Sequence, residues 1–321
     1  MRGDTGTVYR LADLVVRSNV LLPELPLAAR GARQHWEFSV RRRAIPRKAT
    51  HPWFHHWYED DHRRSVSFAR TPNGYCLRFH RAGDFEIATA RRRIQCTAPA
   101  SVSARTIRHL FLNQVVPLVA TDRRLVLHAS AVVHGSAVTG FLGPGGAGKS
   151  TLAAALCQAG AQLVTDDALM LDRRGRTFRA IPTYAGLRLW PDAARRMPRD
   201  TNSEELTPYS GKRRVGGGFR FHSRVSRLSE LCVLDARCYR GERVSINRLA
   251  PLEALIALLP CTFQLDVSDA RRVEETFHRL IELVRHVPVY QLRYPWSFGK
   301  LEVTAREITE RLIDARAKAT A

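Results

Sequence analysis

Gly143-Pro144-Gly145-Gly146-Ala147-Gly148-Lys149-Ser150-Thr151 is the stretch whose residue types and spacing can do chemistry. It fits G-x-x-x-x-G-K-S/T, a loop whose backbone N–H groups cradle phosphates. Its glycines let the backbone take left-handed angles and turn those N–H groups inward on a polyanion. Lys149 offers a point charge to the β- and γ-phosphates, and the Ser150 hydroxyl can ligate an accompanying Mg2+. The candidate nucleotide-binding residues are therefore Gly143, Gly145, Gly146, Ala147, Gly148, Lys149, Ser150 and Thr151. Two carboxylates, Asp166 and Asp167, follow at a short interval inside the apolar run from Gln162 to Leu171. In a phosphoryl-transfer site one acid holds Mg2+ while another accepts the proton of the attacking hydroxyl. An Asp-Asp turn capping a strand is the plainer reading, but buried carboxylates without a counter-ion are expensive, which argues for a functional pair.

A glycine-rich turn can match such a pattern by accident, so the flanking elements decide. Ser136–Leu142 reads as a buried strand, and 151–159 as a small-residue helix closed by Gly160. Strand, loop and helix stand in the required order. Ahead of them, 101–120 predicts a helix capped by Ser101 or Ser103, and 124–135 predicts two short strands carrying His128 and His134. Behind them, 162–171 predicts one strand interrupted by the acids, and 177–190 two more strand candidates. A short helix is expected at 192–196, then a polar mobile loop over 198–218 that includes Lys212-Arg213-Arg214. That basic triplet suits either a phosphate clamp or a solvated charge run. A strand at 228–234, helices at 251–259, 270–285 and 302–316, and a strand at 287–293 complete the C-terminal part.

The first hundred residues differ in character. Short β-rich segments separated by turn residues predict a small, mainly antiparallel domain over 1–100. The remaining 101–321 would form the catalytic domain. The aromatic and histidine-rich stretch from His51 to His62 is expected to be a loop or edge strand rather than a metal site, since no distant Cys/His partner completes it.

At 321 residues the chain can bury one large core or two moderate ones. No run of apolar residues is long enough to span a membrane and no signal-peptide pattern opens the chain, so a cytoplasmic protein is expected. Six scattered cysteines without a C-x-x-C pair fit a reduced compartment. The net charge of +21 suits an anionic partner, but its spread along the chain and its dominance by arginine fit an arginine-favouring genome better. No nucleic-acid-binding motif accompanies it, so nucleic acid is not the expected partner.

Leu127-His128-Ala129-Ser130, the Gly143–Thr151 loop and Gly160-Ala161-Gln162-Leu163-Val164-Thr165-Asp166-Asp167 together resemble the bacterial HPr serine kinase/phosphorylase family. The resemblance is clear over about 124–190 and looser to about 310. The N-terminal part looks like that of HPr-kinase-related proteins found in peptide-natural-product gene neighbourhoods. What the resemblance implies is an α+β/α/β chain: a mainly β N-terminal domain, then a P-loop domain of the HPr-kinase and phosphoenolpyruvate-carboxykinase type with a mixed sheet and flanking helices. It implies ATP and Mg2+ as cofactors, Lys149 on the β/γ-phosphates and Ser150 on the metal. It further implies Asp166 as general base, Asp167 as its partner and second metal contact, and His128 near the phosphates. A signature Glu-x-Arg-Gly-like segment of the family has Gly186 where the metal-binding Glu would stand, leaving Arg188 as a phosphate or structural contact. The expected activity is an ATP-dependent kinase acting on a serine hydroxyl in a peptide or protein. A kinase of a small-molecule hydroxyl, or a nucleotide-gated binding protein with little transfer activity, are the alternatives. Homo-oligomer formation is left open.

Overall fold

The computed structural model describes residues 6–46, 50–58, 62–197, 202–205, 211–235, 239, 241, 243–295 and 297–320. Contacts divide the chain into two units, Met1–Val116 with Leu265–Val273, and Pro117–Gln264 with Glu274–Ala321.

The first unit is a sheet built from β1 (Thr7–Leu11), β2 (Leu14–Ser18), β3 (Trp36–Arg42), β4 (Trp53–Tyr58), β5 (Arg64–Thr71), β6 (Gly74–Phe79), β7 (Gly83–Ala88) and β8 (Arg93–Ala98). Their order is β1-β2-β3-β8-β7-β6-β5-β4. β4 to β8 form an antiparallel meander, whereas β3 runs parallel to β2 and β8. Alternation sets the buried face: Tyr75, Leu77 and Phe79 of β6 are buried with less buried residues between them. The aromatic and histidine-rich stretch forms β4, at one edge of the sheet; Glu59, Asp60 and Asp61 lie outside the described residues. Among the described residues no three His, Cys, Asp or Glu side chains converge as a metal site.

Helix α1 (Ala104–Leu110) follows, with the Ser103 hydroxyl accepting from the Thr106 N–H at 3.0 Å. The single helix expected over 101–120 is interrupted by a π-helical turn at Phe111–Val115 before α2 (Val116–Ala120). Pro117 has no N–H for the carbonyl four residues back, so the ladder widens just ahead of it. Phe111 stacks on Phe38 at 3.8 Å between ring centroids. This packing carries the first unit past residue 100.

Asp266 belongs to the first unit and is buried. It accepts from Arg70 Nε at 2.6 Å and Nη2 at 2.9 Å, and from the Ser268 N–H at 3.1 Å. Burial alone would raise its carboxyl, but these hydrogen bonds from Arg70 and Ser268 outweigh that and hold it below the ordinary value of 3.8. Its stabilisation is therefore complete above that value and is lost as pH falls through the depressed one. Asp266→Asn is expected to unfold more readily at pH 7 and to show a shallower loss of stability as pH falls below the ordinary carboxylate value of 3.8, checked by urea denaturation across pH.

The second unit holds a large mixed sheet. Its strands are β9 (Leu125–Leu127), β10 (Ser130–His134), β11 (Ala137–Leu142), β12 (Gln162–Thr165), β13 (Leu169–Arg174) and β14 (Thr177–Ile181), continued by β18 (Ser226–Leu234), β19 (Ser245–Arg248) and β20 (Val289–Arg293). The order is β12-β10-β11-β18-β14-β13-β9, with β20 parallel to β18 and β19 on β20. A separate small sheet has the order β15 (Leu187–Leu189), β17 (Arg213–Gly216), β16 (Asn202–Glu205). The helices are α3 (Lys149–Gln158), α4 (Pro191–Ala194), α5 (Pro251–Leu258), α6 (Ala270–His286) and α7 (Leu301–Thr320). No helix among the described residues is long and apolar enough to cross a membrane.

β11 shows why the sheet is covered on both faces. Phe141 packs with Leu152 of α3 and Ile308 of α7. Val138 and Leu142 pack on the other side with Leu258 of α5 and Leu280 of α6. One strand thus feeds both cores, as a mostly apolar strand buried on both faces does. Thr139 is the polar residue in this strand, and it is not left unpaired. Its hydroxyl donates to Glu230 of β18 and accepts from Arg316 Nη2 at 3.0 Å, while Arg316 Nε meets Glu230 at 2.7 Å.

Two expectations need correction. The run 162–171 is not one strand but β12 and β13, with Asp166 and Asp167 at the corner between them. Asp167 has φ +77°, a left-handed angle that Asp tolerates better than most residues, and the chain leaves β10 for the opposite end of the sheet there. The stretch 198–218, expected as a mobile loop, contributes β16 and β17; residues 198–201 and 206–210 lie outside the described ones. Its polar sequence hides the pairing; among its described residues Val215, fully buried, is the apolar anchor in the core. The five cysteines among the described residues are free; Cys238 lies outside them.

Candidate functional site

The loop between β11 and α3 is shaped by its glycines. Gly143 leaves the strand at φ +145°, where an added Cβ would sit 3.3 Å from the Leu234 carbonyl oxygen. Gly148 caps α3 at φ +92°, the turn that lets the helix begin at Lys149. Lys149 is buried and its ammonium folds back on the loop, donating to the carbonyls of Gly143 at 2.8 Å and Pro144 at 3.2 Å. Burial pushes Lys149 below the usual lysine range. It is a cation held on neutral carbonyls, ready to exchange them for an anion.

Both acids are buried, yet they have different neighbours. Asp166 Oδ1 accepts from Ser150 Oγ at 2.9 Å and from Ser130 Oγ, and Oδ2 accepts from the Arg188 N–H at 2.7 Å. Asp167 forms an ion pair with the Arg188 guanidinium, and its carboxylate lies 3.9 Å from His128 Nδ1. The carboxylate that meets the Ser150 hydroxyl is thus Asp166; the resemblance implied Asp166 as general base and Asp167 as its partner and metal contact. The corner at Asp167 is the reason: it turns the second carboxylate away from the loop and toward Arg188.

His128 Nδ1 lies 3.0 Å from the Asp167 carbonyl oxygen. A carbonyl only accepts, so the proton is on Nδ1, and Nε2 of the neutral ring keeps its lone pair. Burial, followed by Lys149, Arg188 and Lys212, pushes the imidazole down to about 3. His128 is therefore uncharged near neutral pH and acts as a hydrogen-bonding group rather than a cation.

These side chains share one cleft of about 220 Å³, lined among others by His128, Lys149, Ser150, Asp167, Arg188 and Lys212. Gly145, Gly146, Gly148 and Thr151 also border it. Asp166 stands behind Ser150 rather than in the wall. Gly143 and Ala147 act through the loop itself: the Gly143 carbonyl holds Lys149, and the Ala147 N–H donates to Pro144 O at 3.1 Å. His134 is exposed at the far end of β10 and takes no part.

Arg188 is the most telling residue in the wall. Its side chain is 13% exposed and burial pushes it below the usual arginine range. Its Nε is buried without a hydrogen-bond partner, a donor suited to an incoming phosphate oxygen. Of Lys212-Arg213-Arg214, only Lys212 lines the cleft; Arg214 stacks over Tyr184 and donates to the Ala185 carbonyl at 3.1 Å. A Cβ on Gly186 would meet Arg214 Nε at 3.0 Å, so the guanidinium of Arg214 lies against this glycine.

Sequence reasoning gave no role to Ser130, Trp190, Asp192 and Phe298. Ser130 stands two residues after His128 in an apolar run, a signal that was available. The other three belong to distant segments that only folding brings to the cleft wall.

No protein-family model matches the chain, and no curated protein matches it. Among solved structures it is similar to the Hpr(Ser) kinase/phosphatase from Coxiella burnetii, with 11% identity over 59% of this chain and 97% of that one, at a TM-score of 0.32. A superposition this loose supports no residue-by-residue correspondence.

Proposed function

We propose that this chain is an ATP-dependent phosphotransferase that moves the γ-phosphoryl group to a hydroxyl, that of a serine in a peptide or protein. The observation that carries the reading is the division of labour between two adjacent acids: one hydrogen-bonded to the loop's Ser150, the other in the cleft beside His128 and Arg188. The loop amides and Lys149 would bind the triphosphate, with Thr151 toward the nucleoside end. Ser150 and Asp166 fit Mg2+, an oxygen-seeking ion that keeps several waters and shares substrate phosphates, so two protein oxygens suffice. When bound, the ion draws charge from the β- and γ-oxygens.

In the transfer step the acceptor oxygen bonds to the γ-phosphorus as the bond to the β,γ-bridging oxygen breaks. ADP leaves with that electron pair, and the hydroxyl proton passes to the Asp167 carboxylate. Arg188, with a donor to spare, shifts its charge from Asp167 toward the phosphate. The roles of the two acids are thereby exchanged relative to those the resemblance implied.

A second reading has its own support. Arg188 neutralises Asp167, and Arg214 occupies the ground beside Gly186, an arrangement that suits a protein that holds nucleotide without fast transfer. Purified protein with Mg2+, γ-labelled ATP and serine-containing peptides separates the two. Label is expected on serine with the native chain and none with Lys149→Ala. Tight ATP binding without label on any acceptor would favour the binder, and no ATP binding at all would overturn both.

A further inference from the structure

The cleft contains a cation that the proposed chemistry leaves without a task. Gly211 turns at φ +61° and lies against Trp190, where an added Cβ would be 3.0 Å from indole Cζ3. A Cβ there would need the indole to yield by a few tenths of an ångström, and the left-handed angle itself favours glycine. The next residue, Lys212, places its ammonium 5.6 Å from the Trp190 ring centroid. β17 begins one residue later and pairs with β15, with Arg214 opposite Arg188. Lys212 is thus tied on one side to the indole and on the other to the strand that delivers Arg188.

Its electrostatic setting is unfavourable in the absence of an anion. Among the described residues no carboxylate forms an ion pair with Lys212: Asp192 borders the same cleft without pairing with it, and Asp166 and Asp167 are already engaged by Ser150, Ser130 and Arg188. Burial first, then Arg188, push the ammonium below the usual lysine range, and Lys212 in turn lowers both Lys149 and His128. Three cations in one wall, coupled to one another, form a concentrated positive field that a polyphosphate would relieve. Lys212 borders the same cleft as Lys149 and His128, the residues that the nucleotide reading sets against the terminal phosphates.

We infer that Lys212 contacts the terminal phosphoryl group of the bound nucleotide, held over it by the Gly211–Trp190 seat. This rests on the nucleotide reading above and adds a specificity: Lys212 makes the site prefer ATP to ADP, and it offsets charge on the phosphoryl group during transfer. The cation–π contact with Trp190 keeps the long lysine side chain near its working position before nucleotide arrives.

Calorimetric titration of ATP and of ADP, each with Mg2+, tests it without any acceptor. Lys212→Ala is expected to weaken ATP about tenfold and to leave ADP within about twofold, the loss of one charge-assisted contact. Lys212→Arg should restore most of the ATP preference. Equal weakening of ATP and ADP would mark Lys212 as merely structural, and unchanged affinity for both would remove it from the site; either overturns the inference. Native binding that is abolished by Lys149→Ala yet untouched in Lys212→Ala would sink this inference alone. A native protein that binds neither nucleotide would sink the nucleotide reading with it.

Discussion

Asp167→Asn is expected to slow phosphoryl transfer by about 10²–10⁴-fold while nucleotide affinity stays near native. The amide keeps the size of the side chain and removes its capacity to accept a proton, so the loss should fall on kcat rather than KM. Asp166→Asn is expected to behave differently. Asp166 meets Ser150 rather than the open cleft, so its loss should raise the Mg2+ concentration needed for nucleotide binding. The contrast between the two variants is the decisive measurement. Native-like turnover in Asp167→Asn, with a dead but Mg2+-nucleotide-binding Asp166→Asn, would return the proton-accepting role to Asp166. Arg188 loses its counter-charge in Asp167→Asn, so rates must be read well below the melting temperature of the variant.

Arg316→Ala is expected to destabilise the second unit by about 3–5 kcal/mol, seen as a lower midpoint in urea. Glu230 is 1% exposed, and the bidentate guanidinium of Arg316 is its counter-ion. Removing one partner of a buried pair leaves the other charge desolvated and unpaired, which costs far more than the pair itself contributes. The network also ties α7 to β11, the strand that ends in the glycine loop. The double variant Arg316→Met with Glu230→Gln should recover much of the loss, because no buried charge is then left alone. A loss below about 1 kcal/mol for Arg316→Ala would show that water reaches Glu230 in solution.

Much of this site was legible in the chain. The loop from Gly143 to Thr151 is contiguous, and its glycines, lysine and serine act through backbone angles and positions fixed within one strand–turn–helix unit. Local information of that kind survives in a sequence. The β-rich first hundred residues and the edge position of Trp53–Tyr58 were readable for a similar reason, since alternation and turn residues are local signals.

The division of labour at the acids was not local. Asp166 and Asp167 are neighbours in sequence, and the apolar residues on both sides read as one strand. The left-handed angle at Asp167 splits that strand between two distant parts of one sheet, and it sends one carboxylate to Ser150 and the other to Arg188. Likewise Lys212 sits in a basic triplet that reads equally as a phosphate clamp or a solvated charge run; the pairing of β17 with β15 is what sets it against Trp190. The amino-acid sequence by itself determined that a glycine loop of the phosphate-binding pattern and an acid pair are present, because such patterns are written in contiguous residues. Only the tertiary structure decided which acid meets the loop serine and which cations face the cleft, because those choices depend on pairings between strands far apart in the chain.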